Sequence, residues 1–372
     1  ENTDNIDNII YLNIPLTKLN ELASIDFISF VEPIDSPGEP ENSTSRTLIR
    51  SNVLNSNYPT GRHYNGDGIG ILMRDDGLIS TGSGLFPDHP DKKGRVDESS
   101  CWSCSSSSTN DHGDHVAGTL IGAGNVDPKG KGMADGAMLF TMRANNNNNY
   151  DSVPALYNSD DVFITSSSWG DGCNSGYTSL SNKLDKQIRD FPSLMHVFST
   201  GNRQGSNCGY GAGAGWGNIT GGHKQGKNVI AVGNLDEDGN LNTDVGGSGS
   251  SRGPAADGRI KPDLCASGSG QNVGAGNGIY GGTQYAGVYS TRPPTSSSLY
   301  GNDWGTSMAC PAVSGTLALL HEAYRDLNGN QDAPSALLKC LLLNTADDIG
   351  NPGPDFSHGW GQLNAFKAIK AL

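Results

Sequence analysis

Three residue types that together can hydrolyse an amide bond without a metal occur in distinctive local patterns in this 372-residue chain. Asp75 comes just after the apolar run 69–73, His112 opens the run HGDHVAGT, and Ser307 lies within GTSMACP. A serine hydroxyl can act as a nucleophile, a histidine can take its proton, and an aspartate can orient that histidine. The three residues are therefore candidates for a hydrolytic triad. Ser307 precedes an apolar helix, whose dipole would favour a developing oxyanion.

Each of these residues also has an ordinary structural interpretation. An aspartate after a strand is commonly a turn residue, and a serine at a helix start is commonly an N-cap. His112 and His115 could instead bind zinc, but their spacing lacks the glutamate of the HExxH motif and a clear third ligand. Single residues do not decide between these interpretations, so the elements that carry them matter.

The elements that must position these side chains alternate along the chain from about residue 66. Five short apolar runs predict strands at Gly68–Met73, Ala137–Met142, Val162–Ser166, Met195–Ser199 and Val229–Val232. Four runs predict helices at Asp114–Ile121, Leu180–Arg189, Met308–Tyr324 and Pro334–Asn344. Apolar strands alternating with helices indicate an α/β fold, in which a mainly parallel sheet lies between helices. Asp75 then follows the carboxyl end of a strand, where the sites of α/β sheets form.

Composition argues against several other functions. The 39 acidic and 25 basic side chains give a formal net charge of -14, which argues against a nucleic-acid partner because phosphate binding needs a Lys/Arg surface. No apolar run approaches the length of a membrane span. The polar start ENTDNIDN is not a signal peptide, so we expect any such signal to have been removed earlier. These features are typical of a protein released into an external medium.

The seven cysteines do not form a disulfide scaffold in a chain of this length. Cys173 and Cys208 lie in loops rich in Gly, Ser and Asn, and they are the best candidates for a disulfide. Cys101 and Cys104 form a lone CxxC without the second pair that zinc needs, so a loop disulfide or two free thiols is favoured. The other three lie in apolar or helical contexts that predict small buried side chains: Cys265, Cys310 and Cys340.

Six ordered blocks resemble the subtilisin-like serine proteases, or subtilases, over about residues 60–370. The blocks are Asp75–Gly77, His112–Thr119, Ser168–Gly170, Gly201-Asn202, Ser250–Pro254 with Asp257–Asp263, and Gly305–Pro311. The chain order Asp, His, Ser is also that of subtilisin. The resemblance, closest to alkaline bacterial subtilases, implies a subtilisin-like three-layer fold. It also implies a secreted serine endopeptidase that works through an acyl-enzyme intermediate, with Asp75, His112 and Ser307 as its triad.

The same resemblance implies roles for further residues. Asn202 matches the oxyanion-hole amide, which works with the backbone N–H of Ser307. One edge of the substrate cleft matches Ser168, Trp169 and Gly170, and the other matches the segment near Asn147–Tyr150. The pocket for the side chain before the cleaved bond matches Ser199, Thr200, Gly201, Arg203, Gly221 and Gly222.

These pocket residues predict a substrate preference. A floor made by Gly221 and Gly222 lacks side chains and should leave a deep, largely apolar slot. Arg203 at the rim is a permanent cation. We expect large apolar residues to be preferred before the cut, and acidic residues to be tolerated better than basic ones. Alternatively, Arg203 points to solvent or pairs with Asp171, which leaves no charge preference.

Residues 7–34 show a strand–helix–strand pattern that resembles the end of a subtilase propeptide, which is a removable chaperone and inhibitor. We therefore expect residues 1–45 to be a propeptide-like remnant and linker, and 46–372 to be the catalytic domain. Residues 35–46 have the composition of a linker. The alternative is an extension that only packs on the body. The expected partners are protein or peptide substrates and the chain's own propeptide, outside a bacterial cell.

No cofactor or metal is expected to take part in catalysis, although the resemblance allows a structural calcium ion. Oxygen ligands alternate over residues 236–244, but Gly239 is misplaced for an EF-hand and no glutamate closes the loop, which favours a solvated hairpin. The chain departs from the family pattern at Arg74 and Asp76, on either side of Asp75, and at Asp114 in place of a threonine. None of these departures removes a catalytic group.

Overall fold

The computed structural model of the protein describes residues 15–26, 28, 41–56, 61–78, 89–97, 111–143, 150–170, 172–173, 176–208, 212–236, 238–241, 249–269, 287–294, 296 and 298–372. The chain divides into two compact units, Glu1–Glu39 and Pro40–Leu372. In the first unit a 3-10 turn at Leu16–Lys18 continues into helix α1, Leu19–Ala23, within the segment with helical spacing. The strands predicted on either side, at 9–14 and 27–31, lie outside the described residues apart from Ile28.

The second unit is built on a parallel sheet of seven strands in the order β2-β3-β1-β4-β5-β6-β7. The strands are β1 (Gly70–Asp75), β2 (Val96–Asp97), β3 (Met138–Arg143), β4 (Val162–Ser167), β5 (Met195–Ser199), β6 (Ile230–Leu235) and β7 (Leu264–Ser267). An antiparallel hairpin follows, formed by β8 (Val288–Thr291) and β9 (Tyr300–Asp303).

Seven α-helices lie in the described part of the second unit. They are α2 (Glu41–Leu48), α3 (His112–Ile121), α4 (Val153–Asp160), α5 (Ser179–Asp190), α6 (Thr306–Leu327), α7 (Ser335–Asn344) and α8 (Ala365–Ala371). Short 3-10 turns lie at Ser51–Val53, Pro128–Gly130 and Gly222–Gln225. The long connection that each parallel pair of strands needs is therefore made largely by helices.

The sheet has a hydrophobic cluster on each face. Every residue of β1 and β4 is buried, as expected for strands covered on both sides. Successive side chains of β1 point to opposite faces, so Ile71 and Met73 join one cluster and Leu72 joins the other. The first cluster includes residues of α3 and α6, and the second includes residues of α4 and α5. The architecture is the predicted three-layer α/β fold.

The five predicted strands and four predicted helices are present, with ends that differ by up to three residues. The sequence pattern missed β2, β7, the β8-β9 hairpin, α4 and α8. Val96–Asp97 is only two residues long, and the four residues of β7 (Leu-Cys-Ala-Ser) lack the β-branched residues typical of strands. Such short segments become strands because neighbouring strands pair with them.

Two sequence interpretations are wrong in this unit. Residues 41–46 are not linker but the start of α2, where Ser45 is buried and its hydroxyl donates to the Ser267 carbonyl. Tertiary contacts here override a composition typical of loops.

Cys265 and Cys310 are buried as predicted, but Cys340 is exposed. Leu338, Leu341 and Leu342 form the buried face of α7, and a residue two positions after Leu338 lies on the other side of the helix.

Candidate active site

Ser307 lies in the first turn of α6, at the carboxyl edge of the sheet. Gly305 precedes the helix with a φ of 125°, a backbone conformation that favours glycine. The Ser307 side chain is largely buried, with 9% of its residue surface exposed. Its Oγ donates a hydrogen bond to the Ser168 carbonyl at 3.1 Å, and the Ser168 hydroxyl donates to the Ser307 carbonyl at 2.8 Å. These two bonds fix the helix start against the segment that follows β4.

Asp75 and His112 form a hydrogen-bonded pair at the same edge. Asp75 is the last residue of β1 and is 1% exposed, while His112 is the first residue of α3 and its side chain is 23% exposed. Nδ1 of His112 lies 2.7 Å from Oδ1 of Asp75. A Cβ on Gly113 would lie 2.0 Å from the Gly77 carbonyl oxygen, so only glycine lets the start of α3 come this close to the end of β1. The sequence prediction that Asp75 and His112 meet is confirmed.

The charges around His112 favour its protonated form. Burial of the imidazole opposes the charge, but the Asp75 carboxylate, through its charge and its hydrogen bond, raises the pKa of His112 to about 9, helped by Asp303 and Asp76. Burial itself raises the pKa of the Asp303 carboxyl, against the hydrogen bond from the Trp304 N–H. Burial and the neighbouring Asp75 charge likewise raise the pKa of Asp76. Sequence reasoning missed Asp303, because β9 reaches the imidazole only through the tertiary fold.

Asn202 lies beside Ser307, anchored by the first residue of α6. Its Oδ1 accepts hydrogen bonds from the Thr306 backbone N–H at 3.0 Å and from the Thr306 hydroxyl at 2.9 Å. Its Nδ2 atom would lie 2.8 Å from a Cβ on Gly305. Because the amide oxygen is held by Thr306, the Nδ2 donors remain on the Gly305 side, next to Ser307. This arrangement fits the predicted position of an oxyanion donor.

One predicted edge of the substrate cleft and one predicted wall of the pocket follow neighbouring strands. The edge residues Ser168, Trp169 and Gly170 follow β4, while the wall residues Thr200 and Gly201 follow Ser199, the last residue of β5. The Gly201 N–H donates to the Thr306 hydroxyl at 3.1 Å, which holds the wall to α6. Arg203 is exposed, and among the described residues it forms no ion pair. Tyr150 is buried behind the cleft, and Asn147 lies outside the described residues.

The two glycines predicted to form the floor of the pocket, Gly221 and Gly222, pack against neighbouring segments of the chain. The Gly221 N–H donates to the Gly172 carbonyl at 2.8 Å. A Cβ on Gly222 would lie 2.3 Å from Thr178 Cγ2, so Gly222 packs against the cap of α5. The side chain that lies between Gly170 and Gly201 is Thr220, which the sequence did not single out. No local motif marks it.

The disulfide predicted from loop composition is confirmed. Cys173 and Cys208 are bonded across a separation of 35 residues. The backbone of Cys173 also forms an isolated antiparallel bridge with Thr220. The bond therefore ties the loop after Gly170 to the loop after Asn202, next to the pocket. Cys101 and Cys104 lie outside the described residues.

Arg74, which departs from the family pattern just before Asp75, is buried between aromatic rings. Its guanidinium carbon lies 4.6 Å from the centre of the Tyr150 ring and 4.5 Å from that of Trp169. Guanidinium groups are attracted to aromatic faces at these distances. The Trp169 ring also stacks on His223, with centres 4.7 Å apart. Arg74 thus connects the end of β1 directly to Trp169, at one edge of the substrate cleft.

Asp114, which stands where the family usually has a threonine in the block His112–Thr119, is paired with a buried lysine. Lys92 and Asp114 are both fully buried, and Nζ lies 2.7 Å from Oδ1. Thr291 also donates its hydroxyl to the Asp114 carbonyl at 2.8 Å. The Asp114 side chain therefore ties α3 to the segment before β2 and has its charge matched there, while its backbone carbonyl ties α3 to the β8-β9 hairpin.

Two groups of oxygen and nitrogen atoms bear on metal binding. Atoms of Asp75, Asp76 and His112 lie within 4.8 Å of one another, but this group is the hydrogen-bonded pair already described and its neighbour. In the turn after β6, Asp236 Oδ1 accepts from the backbone N–H groups of Asp238 and Asn240, at 3.0 and 2.8 Å. The carboxylate of Asp236, which is buried, thus closes this turn, while residues 242–244 of the predicted hairpin lie outside the described residues.

The parallel α/β sheet and its helices thus bring Asp75, His112 and Ser307 to the same edge of the fold. The chain belongs to the subtilase family, whose family model matches residues 66–361. Two solved structures are similar over most of the chain. A lanthipeptide protease has a TM-score of 0.61 and 18% identity, covering 88% of this chain and 95% of the other. The prenylagaramide maturation protease PagA has a TM-score of 0.58 and 21% identity, covering 82% and 94%.

Curated relatives match over a short segment. The autotransporter lipoprotein NalP of Neisseria meningitidis serogroup B is 43% identical over 65 residues, which is 18% of this chain and 6% of the relative. An extracellular serine protease of Serratia marcescens is 37% identical over 70 residues, 19% of this chain and 6% of the relative. The matches thus span only a small part of the relatives' length. Among the described residues, no helix has both the length and the apolar character needed to cross a bilayer.

Proposed function

We propose that the protein is a secreted bacterial serine endopeptidase that cleaves peptide bonds through an acyl-enzyme intermediate. The observation that carries the proposal is the 2.7 Å hydrogen bond between Asp75 and His112, at the sheet edge where α6 presents Ser307. Membership of the subtilase family supports the same reaction class. Similarity to an extracellular serine protease of Serratia marcescens supports an extracellular location.

In the first half of the reaction, Ser307 Oγ forms a bond to the substrate carbonyl carbon as Nε2 of His112 takes the hydroxyl proton. This requires the hydroxyl to leave the Ser168 carbonyl, which accepts its hydrogen bond at 3.1 Å in the free protein. The negative oxygen of the tetrahedral intermediate is stabilised by the Ser307 backbone N–H and Asn202 Nδ2. The C–N bond then breaks, and His112 gives the proton to the leaving amine.

In the second half, a water molecule attacks the ester carbonyl and passes a proton to His112. The bond between the carbon and Ser307 Oγ breaks, and the proton returns to Oγ. Asp75 remains ionised throughout and stabilises the imidazolium that forms twice in each cycle. Its buried position and its hydrogen bond from the Asp76 N–H, at 2.8 Å, hold the carboxylate in place for this role.

Substrates are proteins or peptides that lie extended along the edge formed by Ser168, Trp169 and Gly170, in the manner of an added strand. The first unit, Glu1–Glu39, is proposed as a remnant of an inhibitory propeptide, on the strength of its sequence pattern. A structural calcium ion remains a prediction from the family resemblance. So does a preference for large apolar residues before the cut, with acidic residues tolerated better than basic ones. Peptides that differ only at that position, with Leu, Glu or Lys, test it.

The test compares Ser307→Ala with wild type and with Ser314→Ala, a matched change of a buried serine further along α6. We expect wild type and Ser314→Ala to react with a serine-directed fluorophosphonate and to cleave a denatured protein mixture, as mapped by mass spectrometry of the products. Ser307→Ala should do neither, because no nucleophile remains. Unchanged turnover in Ser307→Ala would end the assignment. An added amine that captured most of the acyl group would indicate a ligase instead.

A further inference from the structure

The Cys173–Cys208 disulfide lies at the surface, beside the predicted substrate pocket. It joins the segment that continues from the cleft edge at Gly170 to the loop that continues from Asn202. Cys173 is exposed and Cys208 is half-buried, so a dissolved thiol can approach the bond from the Cys173 side. Exposed disulfides are the ones that thiols reduce most readily. The position of this one makes the shape of the pocket depend on its redox state.

The chain beyond the cleft edge also pairs with the segment at the floor of the pocket. The Gly221 N–H donates to the Gly172 carbonyl at 2.8 Å, and Cys173 forms an isolated antiparallel bridge with Thr220. The Thr220 hydroxyl in turn accepts a hydrogen bond from Nζ of the buried Lys224 at 2.9 Å. The segment 172–173 is therefore held on one side by the floor and at its end by the disulfide.

The groups that break the peptide bond are held by other contacts. Asn202 accepts two hydrogen bonds from Thr306, and Ser307 exchanges two hydrogen bonds with Ser168. These contacts do not involve the disulfide. Breaking the disulfide should therefore loosen the edge that binds substrate while the nucleophile and the oxyanion donor stay in place.

We propose that the Cys173–Cys208 disulfide is a redox switch that controls the binding of extended peptides to this cleft. The inference rests on the proposed function, because it assumes a peptide substrate that lies along the edge formed by residues 168–170. With the bond intact, the segment after this edge is ordered before the substrate arrives. With the bond reduced, the substrate must order that segment as it binds, which weakens binding. The enzyme should therefore reach full activity only in an oxidising medium, where disulfides persist.

The switching reaction is an exchange with a small thiol. The thiolate of the small molecule attacks the exposed Cys173 sulfur, forms a mixed disulfide there and releases Cys208 as a thiolate. A second thiolate attacks the small molecule's sulfur in the mixed disulfide and releases Cys173. Both protein thiolates then take protons from the medium. Two small thiols are thus oxidised to one disulfide, and the protein disulfide is reduced to two thiols.

The test separates peptide binding from the reactivity of Ser307. Wild type is assayed with and without dithiothreitol on a peptide that extends several residues before the cut, and its rate of labelling by the fluorophosphonate is measured in the same samples. We expect reduction to raise KM about 10-fold at constant kcat, the size expected when binding must order roughly one more residue. The labelling rate should not change. Reoxidation with oxidised glutathione should restore KM.

Serine variants of the cysteines provide matched controls. Cys173→Ser and Cys208→Ser should each show the raised KM without reductant and should not respond to dithiothreitol. Cys340→Ser, which removes an exposed free thiol, and the double variant Cys101→Ser/Cys104→Ser should both respond as wild type does. A response that disappeared in the double variant would assign the switch to the CxxC pair and overturn the inference.

If the serine variants do not fold, graded reduction of wild type decides the question. Aliquots are assayed and then alkylated, and mass spectrometry maps the released thiols. The rise in KM should follow the appearance of the Cys173 and Cys208 thiols. A constant KM after both are released would overturn the inference and leave the proposed function intact. So would a parallel loss of labelling, peptide cleavage and circular dichroism signal, because the bond would then support only the fold. An oxidised wild type that neither reacts with the fluorophosphonate nor cleaves any peptide would overturn the proposed function.

Discussion

The charges around His112 predict that activity depends steeply on pH in the alkaline range. A general base must be neutral to accept the Ser307 proton, and the pKa of His112 is raised to about 9, against burial, by the charge of Asp75 and then by Asp303 and Asp76. With that value, only about 3% of the imidazole is neutral at pH 7.5, so kcat/KM there should be about 30-fold below its plateau near pH 10.5. Activity should therefore rise through pH 9.

Asp303 provides a way to change this pKa without touching the Asp75 hydrogen bond. Its side chain is 18% exposed and lies 3.7 Å from Arg292. Asp303→Asn removes one negative charge near the imidazole, so the pKa of His112 should fall. The rate at pH 7.5 should then rise by about threefold, an effect of the size expected for one partly exposed charge, while the plateau stays unchanged. Asp238→Asn, on an exposed turn after β6, is the matched loss of charge and should change neither.

Stability should change in the opposite direction over the same pH range. The folded-state pKa of about 9 lies above the unfolded value of 6.5. The resulting contribution to the free energy of unfolding is fully present below pH 6.5 and is lost as the pH rises through 9. A difference of this size corresponds to about 3 kcal/mol. Urea unfolding of Ser307→Ala and of Ser307→Ala/His112→Ala at pH 6.5 and 9.5 measures this term without self-cleavage, because the second variant retains other titrating groups such as Lys261.

The assay is the pH dependence of kcat/KM on one peptide between pH 6 and 10.5, paired with an NMR titration of the His112 ring in Ser307→Ala. Both should report the same pKa. An acid limb centred below pH 7.5 that does not move in Asp303→Asn would refute the electrostatic account. The triad assignment would survive that result, because it rests on geometry.

Two further predictions concern buried groups near the site. Peroxide should inactivate the enzyme while the fold survives, because Met308 follows Ser307 and its sulfoxide would push a polar oxygen toward the oxyanion hole. Met308→Ala should resist this inactivation. Met138→Leu, which replaces an exposed methionine, should be inactivated like the wild type. Asp114→Asn should lower the free energy of unfolding by about 3–5 kcal/mol, since it leaves Lys92 buried without its carboxylate. Asp151→Asn, which breaks an exposed pair with Lys183, should lower the free energy of unfolding by less than about 1 kcal/mol. Urea titration measures both values. Equal effects of the two aspartate changes, or equal inactivation of Met308→Ala, would contradict these expectations.

The central strands and helices could be predicted because their signals are local and strong. A fully buried parallel strand must be apolar along its length, so β1, β4 and β5 stand out from the sequence. The 22-residue helix α6 is similarly recognisable from its apolar run. Asp75 and His112 could be paired in advance because each lies at the end of such an element and within a family block.

Other parts of the site could not be predicted because they depend on contacts between distant segments. Asp303 acts on His112 across nearly two hundred residues of chain, and its own strand β9 has no distinctive pattern. Lys224 lies in a glycine-rich stretch typical of an exposed loop, yet it has no exposed surface. A charged residue in such a stretch gives no local sign that it will be buried.

The departures from the family pattern show why single substitutions are poor guides to function in this chain. Arg74 and Asp114 each bring a charge into the interior beside the triad, which by itself would be costly. The fold supplies a partner for each: the rings of Tyr150 and Trp169 for the guanidinium, and Lys92 for the carboxylate. Each departure is therefore one half of a pair, and only the structure reveals the other half. Restoring the family's usual threonine at residue 114 should thus destabilise the protein unless Lys92 is changed with it, because the threonine would leave that ammonium group buried without a carboxylate.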